Sequence, residues 1–228
     1  MKSIFIILAF FTGPMFAAGG GDLDPNDFVG ISFWLVTAAM LAATGFFFVD
    51  RGDVEGKWKT SLTIAGLICG IAFWHYLYMR GVWVDTGETP MVFRYIDWLL
   101  TVPLQMVEFY LILAAVTAVA ASLFWKLFVG SLIMLIFGYM GEAGLMSALP
   151  AFLIGCAAWI YMIYILWFGE GKAVVTTTSA SVQTAYNTMM WIIIVGWAIY
   201  PLGYVFGYLL GTVDSSSLNL IYLSLIHI

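Results

Sequence analysis

The sequence predicts an all-α membrane protein, a seven-transmembrane-helix bundle with the seventh helix incomplete. Composition is the first reason: of 228 residues, 63% are hydrophobic and only 9% charged. The mean hydropathy of +1.01 lies far from the usual soluble mixture. Length is the second, since it fits about seven spans of about 20 apolar residues with short loops. The third is the placement of charge, most of which falls between the apolar runs. The net charge of -5 says little, because in a membrane its placement matters more than its total. Cys69 and Cys156 both lie inside apolar spans without metal-ligand spacing and read as small buried hydrophobes. The sequence has no nucleic-acid patch, no phosphate-binding glycine loop and no zinc motif, and it does not read as an enzyme.

Residues 1–18 read as a signal peptide, with Lys2 as the positive start, Ile4 to Phe11 as the apolar core and Phe16-Ala17-Ala18 as the cleavage zone. An uncleaved first anchor is the alternative. Residues 19–228 then form one helical bundle with spans at about 28–49, 61–79, 91–116, 123–144, 147–169 and 182–211, and a partial span at 215–228. Asp24-Pro25 is expected to cap the first span, and Thr89-Pro90 the third. Trp34 sits in the outer half of the first span and His75 near the outer end of the second. Gly81 to Thr89 reads as an external loop and Glu170 to Ser181 as a polar inner one. Arg51, Lys57, Lys59, Lys126 and Lys172 gather on one side, with Arg80 at the other. The positive-inside rule therefore places the N-terminus outside, in agreement with the signal peptide.

The third span carries the chemistry. From Arg94 to Asp97, Thr101, Gln105 and Glu108 the steps are three, four, four and three, which keep all five side chains on one helical stripe. At 1.5 Å per residue, Asp97 and Glu108 stand roughly 16 Å apart along the axis, about half of the hydrocarbon core. Ionisable groups at that depth are costly, rarely face lipid and usually mark an ion path. A structural Arg94–Asp97 ion pair with a surface glutamate is the bland alternative. In the sixth span Trp197, Tyr200 and Tyr204 share a face, and Pro201 cannot donate to the Trp197 carbonyl, so a kink is expected there. That face is ordinary core packing unless it meets Trp98, beside Asp97, in which case the aromatics would line a slot for a flat apolar ligand.

Arg94-Tyr-x-Asp97-Trp98-Leu-Leu-Thr101-x-Pro103 resembles the third helix of the microbial rhodopsins, and Trp197-x-x-Tyr200-Pro201 their sixth. Trp74-His75-Tyr76, Tyr78-Met-Arg80-Gly81-Val-Trp83 and Gly138-Tyr-Met-Gly-Glu142-Ala-Gly144 are similar to the proteorhodopsin branch. The resemblance implies an inner-membrane, light-driven outward proton pump that binds all-trans retinal through a lysine as a protonated Schiff base. It makes Asp97 the counterion and primary proton acceptor, Arg94 a group that tunes it, and Glu108 the donor from the cytoplasmic side. Asp97, Thr101 and Glu108 match the proton-pump triplet, and His75 would hydrogen-bond Asp97. Trp98, Trp197, Tyr200 and Pro201 would hold the polyene, with Gln105 at the position where glutamine goes with blue absorption and leucine with green.

The resemblance also implies a homo-oligomeric ring, a pentamer or hexamer, in which Trp34 meets His75 across the protomer boundary. A photosensory retinal protein and a pigment-free membrane interaction protein are the other readings. The family's seventh helix carries the retinal-binding lysine, whereas here Ser217-Leu-Asn-Leu-Ile-Tyr222 runs into Leu223 to Ile228 with no lysine. The eight basic residues are Lys2, Arg51, Lys57, Lys59, Arg80, Arg94, Lys126 and Lys172. The expectation is a truncated member of the family, without covalent retinal and non-functional as it stands.

Overall fold

The computed structural model of the chain describes residues 23–88 and 90–223, and every described regular element is a helix or helical turn. Five long helices come first: α1 (Phe28–Asp50), α2 (Trp58–Thr86), α3 (Met91–Val116), α4 (Ala121–Glu142) and α5 (Ala148–Trp167). The short α6 (Glu170–Val175) leads into α7 (Ala180–Trp191). A π-helical turn (Ile192–Gly196), α8 (Ile199–Tyr204) and a second π turn (Val205–Leu209) complete the sixth span, and α9 (Ser215–Leu223) follows. Among the described residues, six segments are long and apolar enough to cross a membrane. The signal peptide and residues 224–228 lie outside the described residues.

Successive long helices pack as neighbours from α1 to α5, and α9 lies against α1 and α8. The central element is α3: 44% of its most apolar stretch is buried, against 17% for α1. One cluster of buried side chains joins α3, α4, α5 and α7 through Met106, Phe109, Leu127, Met162 and Tyr186. A second joins α1 and α2 through Phe33, Val36, Tyr76 and Met79. Everything polar on the buried face of α3 is thereby held inside the bundle.

Several boundaries differ from the sequence expectation for local reasons. The cap of α1 is Asp27, not Asp24: its carboxylate accepts from the Gly30 amide at 2.9 Å and also from Trp83 Nε1 at 3.0 Å. That indole belongs to residues expected to form a loop, but α2 continues to Thr86 and ends at Gly87, whose φ of 66° supplies the left-handed stop. The cap of α3 is Pro90, and Thr89 lies outside the described residues. The polar stretch 170–181 is largely helical, with Ser179 capping α7 at the Val182 amide.

The irregularity expected at Pro201 begins earlier, where the Trp197 amide reaches back five residues to the Ile192 carbonyl at 3.1 Å. The Trp197 carbonyl, which Pro201 cannot bond, accepts from the Tyr200 amide at 3.1 Å instead. A Cβ on Gly203 would stand 2.7 Å from the Tyr222 ring, so the glycine is what lets α9 approach α8 this closely.

The start of α9 supplies a pH-dependent element. Asp214, fully exposed, accepts from the Ser217 amide at 2.9 Å and the Ser217 hydroxyl at 3.1 Å. Those bonds favour the carboxylate and hold Asp214 below its ordinary range. A lowered value in the folded chain means that the cap's contribution is complete above the unfolded carboxyl range and is lost as pH falls through the folded value. Amide exchange at Ser217 and Leu218 should accelerate on acidification below that range. In Asp214→Ala the exchange should be fast at every pH, and a Ser217 amide equally protected in the variant would refute the cap.

Candidate functional site: a carboxylate stripe beside an aromatic slot

The stripe predicted on α3 is built as one line, and α2 contributes a partner at each end. Asp97 is 2% exposed and Thr101 4%. The Thr101 hydroxyl donates to the Asp97 carbonyl at 2.9 Å, which fixes its rotamer along the helix. His75 Nδ1 lies 3.4 Å from Asp97 Oδ1 and 3.0 Å from the Ile71 carbonyl. A carbonyl can only accept, so this nitrogen carries the hydrogen and directs it at Ile71. Asp97 Oδ1 is left without a hydrogen bond. Fourteen residues nearer the start of α2, the Ser61 hydroxyl donates to Glu108 Oε1. Glu108 Oε2 has no partner. One turn before Ser61, Lys57 donates its ammonium to the Ala114 carbonyl at 2.9 Å and covers that end of α3.

Arg94 does not form the Arg94–Asp97 ion pair that was the bland alternative. Its Nη2 lies 3.6 Å from Glu142 Oε2, at the end of α4. Nη1 lies 3.4 Å from Asn219 Oδ1 on α9. The guanidinium carbon is also 4.7 Å from the Tyr222 ring and 5.5 Å from the Trp98 ring. The Glu142 side chain is only 3% exposed. Sequence reasoning placed Glu142 at a span exit and gave it no role. It likewise missed Ser61 and Asn219, because each finds its partner across helices, where sequence spacing carries no signal.

The aromatics of α3 and α8 do meet. The Trp98 ring lies 5.1 Å from Tyr200, edge to face, and Tyr200 stacks on Tyr222 at 5.4 Å. They bound a cavity of about 500 Å³ that Trp197, Pro201, Gln105 and Asp97 also line. The cavity continues to Met40, Ala43 and Phe47 of α1 and to Cys69 of α2. Glu108 does not line it and stands apart on the stripe. Walls of this kind, apolar and rich in aromatic rings with a few buried polar groups, Asp97 and Glu142 among them, fit a long flat apolar molecule with a donor at one end. Retinal fits that description in its polyene and ring. The lysine that would bind it covalently is not among the lining residues: Lys57, Lys126 and Lys172 all lie at the same rim of the bundle. Trp34 is 41% exposed, with the Arg80 guanidinium carbon 4.1 Å from the centre of its ring.

The chain is similar to known proteins over nearly its whole length. A green-light absorbing proteorhodopsin of the gamma-proteobacterium EBAC31A08 is 68% identical over 223 residues, which cover 97% of this chain and 90% of the relative. A blue-light absorbing proteorhodopsin of the gamma-proteobacterium Hot 75m4 is 72% identical over 211 residues, 92% of this chain and 84% of the relative. Among solved structures, the blue light-absorbing proteorhodopsin from Med12 matches with a TM-score of 0.75 and 56% identity, covering 87% of this chain and 90% of that one. Exiguobacterium sibiricum rhodopsin matches with a TM-score of 0.78 at 32% identity, over 87% of this chain and 89% of that one. The sequence profile of bacteriorhodopsin-like proteins, a family whose cofactor is retinal, matches residues 27–225. The chain therefore belongs to the bacteriorhodopsin-like family.

Proposed function

We propose that the chain carries the proton path of a light-driven, retinal-binding outward proton pump of a bacterial inner membrane, with its N-terminus outside. The observation that supports it most is the pair of separated carboxylates on one buried line of α3. Asp97 opens on the aromatic slot, while Glu108 lies off it toward the lysine-bearing end. When bound, retinal supplies the light absorption and isomerisation that drive a proton from one side of the slot to the other.

The chain's own residues supply the rest. Asp97 receives a proton at its unbonded Oδ1. His75 stands 3.4 Å away with its Nδ1 hydrogen engaged at Ile71, so it orients the carboxyl without taking its acceptor site. Arg94 and Glu142 form the next charged pair on the outer side, where a proton leaving Asp97 meets a buried base and a fixed cation. Glu108 holds the replacement proton, with Ser61 fixing one oxygen and Oε2 left for the transfer. Trp98, Trp197, Tyr200 and Pro201 exclude water and hold the polyene flat. Among the described residues no lysine amine lines the slot. The path operates once that amine is supplied. The test is light-driven acidification outside cells or vesicles that hold the chain joined to the family's lysine-bearing seventh helix. A photosensor would give a spectral cycle without acidification.

Colour offers a separate test of the slot. Gln105 lines the cavity one turn from Thr101. Its amide dipole beside the polyene acts unequally on ground and excited states, so Gln105→Leu in the joined protein should move the visible band to longer wavelength and leave the direction of pumping unchanged. An unmoved band would place Gln105 away from the polyene.

The assembly reading is a ring in which Trp34, exposed on one protomer, reaches His75 of the next. Within one chain Trp34 already stacks with Arg80, and this contact presents the indole toward lipid or a neighbour. Trp34→Ala should shift the detergent-solubilised species to smaller size while the bundle stays helical. An unchanged oligomer size would reject the contact.

A further inference from the structure

The rim that carries the lysines contains a second recess, outside the proton path. It has a volume of about 50 Å³ and is lined by Leu166, Trp167, Lys172, Asn187, Trp191 and Ile194, from α5, α6, α7 and the π turn. A water needs roughly 10–15 Å³ measured this way, so the recess admits several waters or one tetrahedral oxyanion. Its outer walls are indoles. Trp167 and Trp191 meet edge to face at 5.5 Å yet stay 36% and 56% exposed. Phe168, 72% exposed, stacks on Trp167 at 5.9 Å. Indoles gather where a bilayer meets water, with an apolar body and a polar tip.

The cation in the recess is not engaged in an ion pair. Lys126 is bound to Glu170 at 2.6 Å, and Ser122 donates to the other oxygen of the same carboxylate. Lys57 is bound to the Ala114 carbonyl. Among the described residues no carboxylate lies within ion-pair distance of Lys172. Asn187 brings two amide donors to the same recess from α7, within a membrane span, where an amide facing lipid alone would be costly. A snorkelling lysine needs no concave site and no second donor.

We propose that this recess binds the phosphate head group of an anionic phospholipid of the spanned membrane, with Lys172 and Asn187 donating to the phosphate oxygens and Trp167 and Trp191 flanking the acyl chains. The proposal uses the membrane-spanning fold and is independent of retinal binding and of the proton path.

The test needs no pigment. The 228-residue chain is inserted into phosphatidylcholine vesicles, and tryptophan quenching is compared between a minor fraction of brominated phosphatidylglycerol and the same fraction of brominated phosphatidylcholine. Quenching by the neutral lipid verifies insertion. The native chain should prefer the anionic lipid. Lys172→Gln should reduce that preference about five-fold, the effect of one juxtamembrane cation, and Asn187→Leu should reduce it less. Lys59→Gln, at the same rim but outside the recess, should leave it unchanged. An equal loss in Lys59→Gln would mean diffuse surface charge and overturn the site. A preference retained in Lys172→Gln would overturn it as well. Displacement of the lipid by inorganic phosphate would make it a free-phosphate site and reject the lipid.

Discussion

Asp97→Asn, in the chain joined to a lysine-bearing seventh helix, should abolish light-driven acidification. Asparagine keeps the shape of the side chain and the packing against His75, but it has no carboxylate to accept a proton. Asp97 lines the slot beside Trp98 and Thr101 with its Oδ1 unbonded, while Glu108 stands off the cavity. Glu142 also lines the cavity, but it is engaged with Arg94. Glu108→Gln should behave differently. The first proton movement survives, because Asp97 is intact, while return of the proton slows by about a hundred-fold or more, the usual contribution of a positioned acid or base. External pH and flash spectroscopy on the same vesicles separate the two. Pumping at the parent rate by Asp97→Asn would remove Asp97 from the path.

The second large effect concerns the 228-residue polypeptide itself. Incubated with all-trans retinal and then borohydride, it should yield no reducible adduct, and illumination should move no protons. A covalent imine needs a lysine amine inside the slot. Lys57 is held at the Ala114 carbonyl, Lys126 at Glu170 and Lys172 in the outer recess. None of them lines the cavity. Supplying the amine through the seventh helix should restore the adduct, whereas a reducible, red-shifted species from the 228 residues alone would falsify the placement of these lysines.

The hydropathy pattern made the helical membrane fold legible, because apolar runs of this length have few other uses. The stripe on α3 was legible for a similar reason: the steps from Arg94 to Glu108 repeat within a single helix, and periodicity records what one helix does. The partners were not. Ser61 is one of many serines until α2 lies against α3, and Glu142 looks like a span end until Arg94 turns toward it. The far end of α2 misled for a different reason. Gly81 and Asp85 look like a loop, but Trp83 reaches Asp27 and Arg80 stacks on Trp34, and these tertiary contacts carry the helix on to Thr86. The breadth of the sixth span's irregularity was hidden as well, since Pro201 marks a bend but nothing in the sequence marks the π turns on either side of it.

His75 and Ser61, which meet Asp97 and Glu108, are both mounted on α2. Their separation along that helix, about 21 Å at 1.5 Å per residue, makes α2 a beam with one contact near each end. A tilt of the beam about its middle, in the plane it shares with α3, shortens one contact as it lengthens the other. The two contacts are therefore geared to each other in opposite senses by a single helix, so that loosening Ser61 from Glu108 at one end presses the imidazole toward Asp97 at the other.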